Sequence, residues 1–419
     1  MKLFHSVIAG SLLMVSGCDA AAEGAPQLIP PLAADARMTP VQVHQDVALA
    51  KEAFERVHPG YTRYATKAEM DSQWQAIIDR AETQDGMTLS EFYLASELAL
   101  VAIRCDHTKA ELPRSLRAAR EGVPLYLPLR WKVIDGRAIV ETPGEGTGLQ
   151  FGDEIVSMDG RPMADVMADV APYIPVDGYT EWSRAGGIGQ SLEFMGGAVD
   201  HFGALMWDVP EVARLQVRAA GGEVRPVEVK RIDFEGWSAL GQASARNFKD
   251  AVTFKRIGEN AGYLSVDTFV NYREPVKPSA IYEPVFKAMR DERRDTLILD
   301  LRKNGGGSND ASYGLLANLL SEPYRPLKGM FAKTLDLDGI RPHLSTWDSR
   351  ALNPNPMGFS KQDDGTYALR SFVSDDLNQV EPATYAFGGR LILLTSTTNS
   401  SGSTNFAAWM KELGRATTV

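Results

Sequence analysis

Cysteine is almost missing from this chain. Two occur in 419 residues, Cys18 and Cys105, and two cysteines do not make a structural zinc site. Six histidines occur, none in an H-E-x-x-H pair, so no metal constellation is visible and no metal is expected. Cationic residues are in deficit as well. Forty-four Lys and Arg stand against 54 Asp and Glu, a formal net charge of −10 without a long basic run. That balance argues against nucleic acid as a partner. No G-x-S-x-G pentapeptide occurs, which leaves a serine elbow of that type unsupported.

What is present is the composition of a soluble globular protein, 44% apolar and 23% charged, at a length that calls for two or three domains. Residues 1–18, MKLFHSVIAGSLLMVSGC, stand apart. Lys2 precedes an apolar segment too short to span a membrane, and small residues follow. Val15-Ser16-Gly17-Cys18 resembles a bacterial lipoprotein cleavage box, which implies that Cys18 is lipidated and becomes the new N-terminus. Asp19 resembles an inner-membrane retention signal. The expectation is a protein held by lipid on the bacterial cell envelope and facing the periplasm. Cys105 would then have no disulfide partner. Residues 19–38, rich in Ala, Pro and Gly, read as a tether.

Residues 39–120 read as a helical domain. Val47, Ala50, Phe54 and Val57 share one face, and His58-Pro59-Gly60 stops that helix. A second helix is expected near Lys67–Thr83. A third opens at Thr88-Leu89-Ser90-Glu91, capped by Thr88 or Ser90, and leads into Arg104-Cys105-Asp106-His107-Thr108. Residues 121–235 read as a β-rich module. Asp135-Gly136 marks a hairpin, Arg214–Arg218 and Val224–Val229 supply closing strands, and 170–210 is a long insertion.

Residues 236–419 carry two strand–turn–helix patterns. The first runs from the apolar Leu297-Ile298-Leu299 through Asn304-Gly305-Gly306-Gly307 to a helix with Tyr313, Leu315, Leu316, Leu319 and Leu320. Such a turn offers backbone N–H groups to an anion or a developing oxyanion, and equally makes a plain tight turn. The second runs from Arg390–Leu394 through a polar stretch to a helix expected near Ser403, since Phe406, Met410 and Leu413 recur at i, i+4 and i+7. Its serines suit a helix cap or a nucleophile. Between the two patterns, 321–380 is rich in Pro, Asp and Asn and reads as an insertion.

The segments DLRKNGGGS and LLTSTTNSSGSTNFAAW resemble the glycine turn and the nucleophile turn of the C-terminal-processing, or tail-specific, serine proteases and their tricorn-core relatives. The D-H-T after the helical segment resembles their histidine-containing branch, and Gly148–Gly160 resembles a PDZ signature. The resemblance implies a multidomain α+β fold: a helical segment, a PDZ-like module and an α/β core of the ClpP/crotonase-like type. It implies Ser401 as nucleophile, His107 as general base, and the N–H groups of Gly305 or Gly306 with that of Gly402 as an oxyanion hole. The substrate would be a peptide or protein, and no cofactor would be needed. Gly402-Ser403-Thr404-Asn405 departs from the family's small residues and glutamate, so Ser400 and Ser403 stand as fallback nucleophiles. The same departure motivates a second expectation, a catalytically inactive peptide-binding lipoprotein on the same fold. The family's core continues past the position matching Val419. The lysine of a Ser–Lys site, or the acidic partner of the histidine, is therefore expected beyond it.

Overall fold

Each helix of the N-terminal unit begins where a threonine can cap it. Thr39, Thr66 and Thr88 each accept from the N–H three residues on, and Gln42, Glu69 and Glu91 reach back to the threonine N–H. These boxes, each worth about 1 kcal/mol, open α1 (Pro40–Val57), α2 (Lys67–Thr83) and α3 (Leu89–Val101). Of the two caps expected for α3, Thr88 is the one used. At its other end α1 stops at His58, whose N–H still reaches Phe54 O at 3.0 Å.

The computed structural model describes residues 32–191, 194–219, 221–241, 247–346 and 348–419. Cys18, the signal segment and most of the expected tether lie outside them. The tether ends earlier than expected. Leu32 and Ala34 pack on the core, and Arg37–Met38 pair antiparallel with Met87–Thr88. Met38 is buried because the alternation Arg37-Met38 turns its apolar side inward.

The β-rich module is built on β1 (Leu129–Ile134), β2 (Arg137–Pro143), β3 (Glu154–Met158), β4 (Val212–Arg218) and β5 (Val224–Lys230), in that order across one antiparallel sheet. Asp135 at φ +50° and Gly136 at φ +72° make the left-handed pair that a two-residue hairpin turn requires. The boundary expected at residue 120 is not a break in packing, since one apolar cluster runs from Met38 to Val229. Tyr93 Oη meets His201 Nε2 at 2.8 Å, and Arg120 donates to the carbonyls of His201 and Asp200 at 2.9 and 3.0 Å. The 170–210 segment therefore fills the core: its helix Ala198–Met206 buries Val199 and Phe202. Residues 331–368 belong to this same unit. Arg56 anchors them by donating to the carbonyls of Asp338 and Asp336 at 2.8 and 2.9 Å.

The second unit comprises, among the described residues, 247–330 and 369–419. Its elements are β6 (Val252–Ile257), β7 (Ala261–Val266), α4 (Pro278–Asp291), β8 (Thr296–Asp300), α5 (Asn309–Ala317), β9 (Arg390–Leu394), α6 (Ser401–Glu412) and β10 (Thr417–Thr418). The sheet order is β10-β9-β8-β7-β6, parallel except for β6 against β7. In register, Leu297 faces Leu391 and Leu299 faces Leu393, all four buried with Phe406 and Met410. Neighbouring parallel strands bring their carboxyl ends to one edge, so the turns after β8 and β9 lie side by side. In open α/β sheets that edge is where ligands bind.

Candidate active site

The turns after β8 and β9 are bound to each other by two asparagines. Asn304 is fully buried. Its amide donates to Val266 O at 2.9 Å and its Oδ1 accepts the Gly306 N–H at 2.8 Å. Asn399 donates to Leu301 O at 2.6 Å and Asn304 O at 3.0 Å, and accepts from the Ser396 N–H at 2.7 Å. Gly306, at φ +105°, packs so closely that an added Cβ would stand 2.8 Å from Ser401 Cβ and 2.9 Å from Gly402 N. The glycine turn and the serine turn are thus in direct contact through a residue that has to be glycine.

The three serines of the turn have different chemical situations. Ser403 is buried, donates to Asn304 O at 2.7 Å and accepts the Ser400 N–H at 3.2 Å. That hydroxyl is committed to structure, which removes Ser403 as a fallback nucleophile. Ser400 is the N-cap of α6, so the helix starts at Ser401 rather than near Ser403. Ser401 sits at φ +49°, where a side chain is uncommon and costs roughly 1 kcal/mol. It is half-buried, and no hydrogen bond to its hydroxyl is found among the described residues. Ser401 is thus held on a strained turn at the head of a helix, its hydroxyl without a hydrogen bond among the described residues.

Of the expected oxyanion donors, Gly306 is corrected: its N–H is already given to Asn304 Oδ1. Gly402 is the second residue of α6, and a helix's first turn leaves such N–H groups without an intrahelical partner. Gly305, the other expected donor, lies in the adjoining turn after β8.

His107 belongs to the N-terminal unit, in the loop that leaves α3. That loop is tightly specified. His58, buried at 5% exposure, accepts the Gly60 N–H on Nδ1 at 3.1 Å, which leaves Nε2 to donate to Thr108 Oγ1 at 3.0 Å. The H-P-G stop and the D-H-T segment, fifty residues apart, are one structural unit. Burial, with some repulsion from Lys333, pulls the His58 pKa down to about 4 and keeps it neutral. His201 is likewise buried and held well below its ordinary value by burial. Both histidines are buried and engaged in hydrogen bonds within the N-terminal unit.

His107 is the contrasting case. Its Nδ1 meets the Asp106 carboxylate, and that hydrogen bond raises the imidazole pKa above the ordinary value, with burial opposing. The acidic partner expected beyond Val419 thus has a counterpart immediately before the histidine. In the sequence Asp106 has no role beyond its place in the D-H-T segment. The signal was there, because neighbouring residues in a tight turn can present side chains to the same side. Asp106 is itself held by Asp177, whose Oδ1 accepts its N–H at 3.0 Å. Cys105, Asp106 and His107 are also the one set among the described residues whose ligating atoms gather within 4.8 Å. The Asp106–His107 hydrogen bond accounts for two of the three. Burial pushes the Cys105 thiol pKa up, away from the thiolate that a nucleophile or metal ligand needs.

The family model described as Peptidase family S41 matches residues 260–419, and that of the PDZ domain matches 124–238. Among curated proteins none matches the chain. Among solved structures, a mutant of CPAF is 14% identical, with 90% of this chain and 83% of that chain covered at a TM-score of 0.60. Mature CPAF complexed with lactacystin is 14% identical, covering 90% and 84% at a TM-score of 0.56. At such identity the likeness is one of fold. The family models carry the rest: the chain carries a peptidase family S41 domain at 260–419 and a PDZ domain at 124–238, and is a serine peptidase.

Proposed function

We propose that this peptidase cleaves its substrates with Ser401 as nucleophile and His107 as general base. Gly305 and Gly402 N–H groups stabilise the tetrahedral oxyanion, and no cofactor takes part. The reading is carried by Ser401: it is the serine of the turn with positive φ and an unengaged hydroxyl, packed on the glycine turn that would supply a donor. In the forward step the Ser401 Oγ–carbonyl carbon bond forms as His107 Nε2 takes the hydroxyl proton. The proton then goes to the leaving amine as the C–N bond breaks, and water repeats the sequence on the acyl-enzyme. Asp106 on Nδ1 supports the tautomer this needs, with the proton on Nδ1 and Nε2 free to accept.

Ser401→Ala should lower kcat by about 10⁴–10⁶-fold with the fold intact, measured on a peptide substrate alongside circular dichroism. His107→Gln should lower it by at least about 10²-fold. Ser403→Ala should instead lower the melting temperature. An active Ser401→Ala beside a dead Ser400→Ala would move the nucleophile by one residue. Full activity in His107→Gln would remove the base assignment.

The substrates proposed are proteins and peptides of the bacterial cell envelope, met by an enzyme tethered through lipid at Cys18. Val15-Ser16-Gly17 before that cysteine supports this. Mass spectrometry of the N-terminal peptide from membrane fractions tests it. A soluble enzyme with an unacylated N-terminus past residue 18 would overturn it.

A further inference from the structure

The segment 177–182 lies in what the sequence presents as an insertion, yet it clasps the loop that carries His107. Gly178 N–H donates to Arg104 O at 2.9 Å, and the Arg104 guanidinium returns a bond to Gly178 O. The same guanidinium pairs with the Glu181 carboxylate. Asp177 Oδ1 takes the Asp106 N–H at 3.0 Å. The Asp177 turn is itself fixed by Thr180, whose N–H and Oγ1 both donate to Asp177 O, at 3.1 and 2.7 Å. Gly178 has φ +56°, and an added Cβ would stand 2.9 Å from Tyr64 Oη, so the clasp has a built-in requirement for glycine. Two residues of the base loop, Arg104 and Asp106, are therefore gripped from outside at their backbones.

We propose that Asp177 is a positioning residue for the base: by holding the Asp106 main chain it sets the direction of the Asp106 carboxylate, and through it the orientation and tautomer of the His107 imidazole. This rests on the reading of His107 as general base. The requirement is geometric. Asp106 has to present its carboxylate to the side chain of the residue next to it in the chain, and a free loop would satisfy that contact in several backbone states. Fixing the Asp106 N–H removes them. It limits the base to one position at no entropic cost during turnover. Asp177 also adds negative charge next to Asp106 when ionised, its own pKa being pushed up to about 6 by burial and then by the Asp106 charge. The charged and titratable groups that face His107 are then Asp106, Asp177, Lys109 and the Cys105 thiol. Asp177 works in the same direction as Asp106, favouring the imidazolium, and Lys109 opposes it.

Two variants of the full chain separate the hydrogen bond from the charge. Asp177→Asn keeps an acceptor for the Asp106 N–H and loses the charge; Asp177→Ala loses both. The imidazole titration of His107 is read by NMR of histidine-labelled protein, assigned against the His107→Gln spectrum. In Asp177→Asn the midpoint should fall by roughly 0.5 pH unit, with kcat at the pH optimum within about threefold of wild type. In Asp177→Ala the midpoint should fall at least as far, and kcat should drop by roughly 10-fold with KM unchanged. A role confined to holding the fold would lower the melting temperature and leave both the midpoint and the kcat–pH profile in place. That outcome in Asp177→Ala, with His107→Gln inactive, overturns the inference. Full activity in His107→Gln overturns the base assignment instead. The NMR midpoint still reports whether Asp177 governs the imidazole.

Discussion

Replacing Gly306 by alanine tests the contact on which the nucleophile's placement depends. The residue sits at φ +105°, where a side chain is strained whatever its surroundings, at a cost of about 1–3 kcal/mol. Its surroundings also leave no room. The new Cβ would meet Ser401 Cβ at 2.8 Å and both Gly402 N and Ser400 O at 2.9 Å. Ordinary contacts begin near 3.4 Å. These neighbours are backbone atoms or a Cβ, so no flexible side-chain tip can swing aside. Relief has to come from the serine turn moving by about 0.5–1 Å, and a displacement of that size costs on the order of 10²-fold in rate. The strain, near 2 kcal/mol, should lower the melting temperature by about 4–8 °C. Activity should thus fall much further than the folded fraction at 25 °C. Gly414→Ala is the matched control: it also places a side chain at positive φ, +60°, but finds nothing within 4 Å. It should lose some stability and keep its kcat/KM. If Gly306→Ala keeps more than half of the wild-type kcat/KM, the glycine turn does not seat the nucleophile.

Two further outcomes follow from titratable groups. His58 has a folded pKa near 4 against 6.5 ordinarily, so the unfolded chain binds the extra proton between those values. Its contribution is complete above pH 6.5 and is lost as pH falls toward 4, about 3 kcal/mol in all. Chemical denaturation between pH 7 and pH 4 should show that slope in the N-terminal unit, and His58→Gln should flatten it; an unchanged slope would refute the assignment. Asp106→Asn removes the group that raises the His107 pKa. The acidic limb of kcat/KM should move to lower pH, while the plateau falls by roughly 10²–10⁴-fold because an amide can favour the wrong imidazole tautomer. A plateau at the wild-type level would show that Asp106 does not orient the base.

The architecture was legible wherever one local rule decided. Strand Arg390–Leu394 and helix Lys67–Thr83 match their expected limits, since an apolar run between polar turns and a capping box are complete within a few residues. The Asp135-Gly136 hairpin was equally readable. What failed needed long-range information. The 170–210 segment looked like an insertion because its periodicity is broken, yet Val199 and Phe202 close the core and Asp177 grips the loop of His107. The start of α6 was missed by two residues because serine at positive φ has no sequence signature. Gly306 and Gly305 were interchangeable in the sequence. Only the Asn304 side chain, which takes the Gly306 N–H, distinguishes them.

The serine turn also shows why buried polar groups surround a reactive one. Asn304, Asn399 and Ser403 are held by donors and acceptors of known direction. An apolar core would fill the same space with looser angular control, whereas each lost bond here would leave a buried group unsatisfied at about 1–3 kcal/mol. That penalty holds the backbone of 399–403 in one conformation, including the unfavourable φ at Ser401. The strain at one residue persists because its neighbours over-determine it. Ser403 and Ser401 are two residues apart and chemically identical, and the network gives one a structural bond, while the hydroxyl of the other has no hydrogen bond among the described residues. What sets the structural serine apart from Ser401 in this turn is therefore the carbonyl of Asn304, ninety-nine positions away from Ser403.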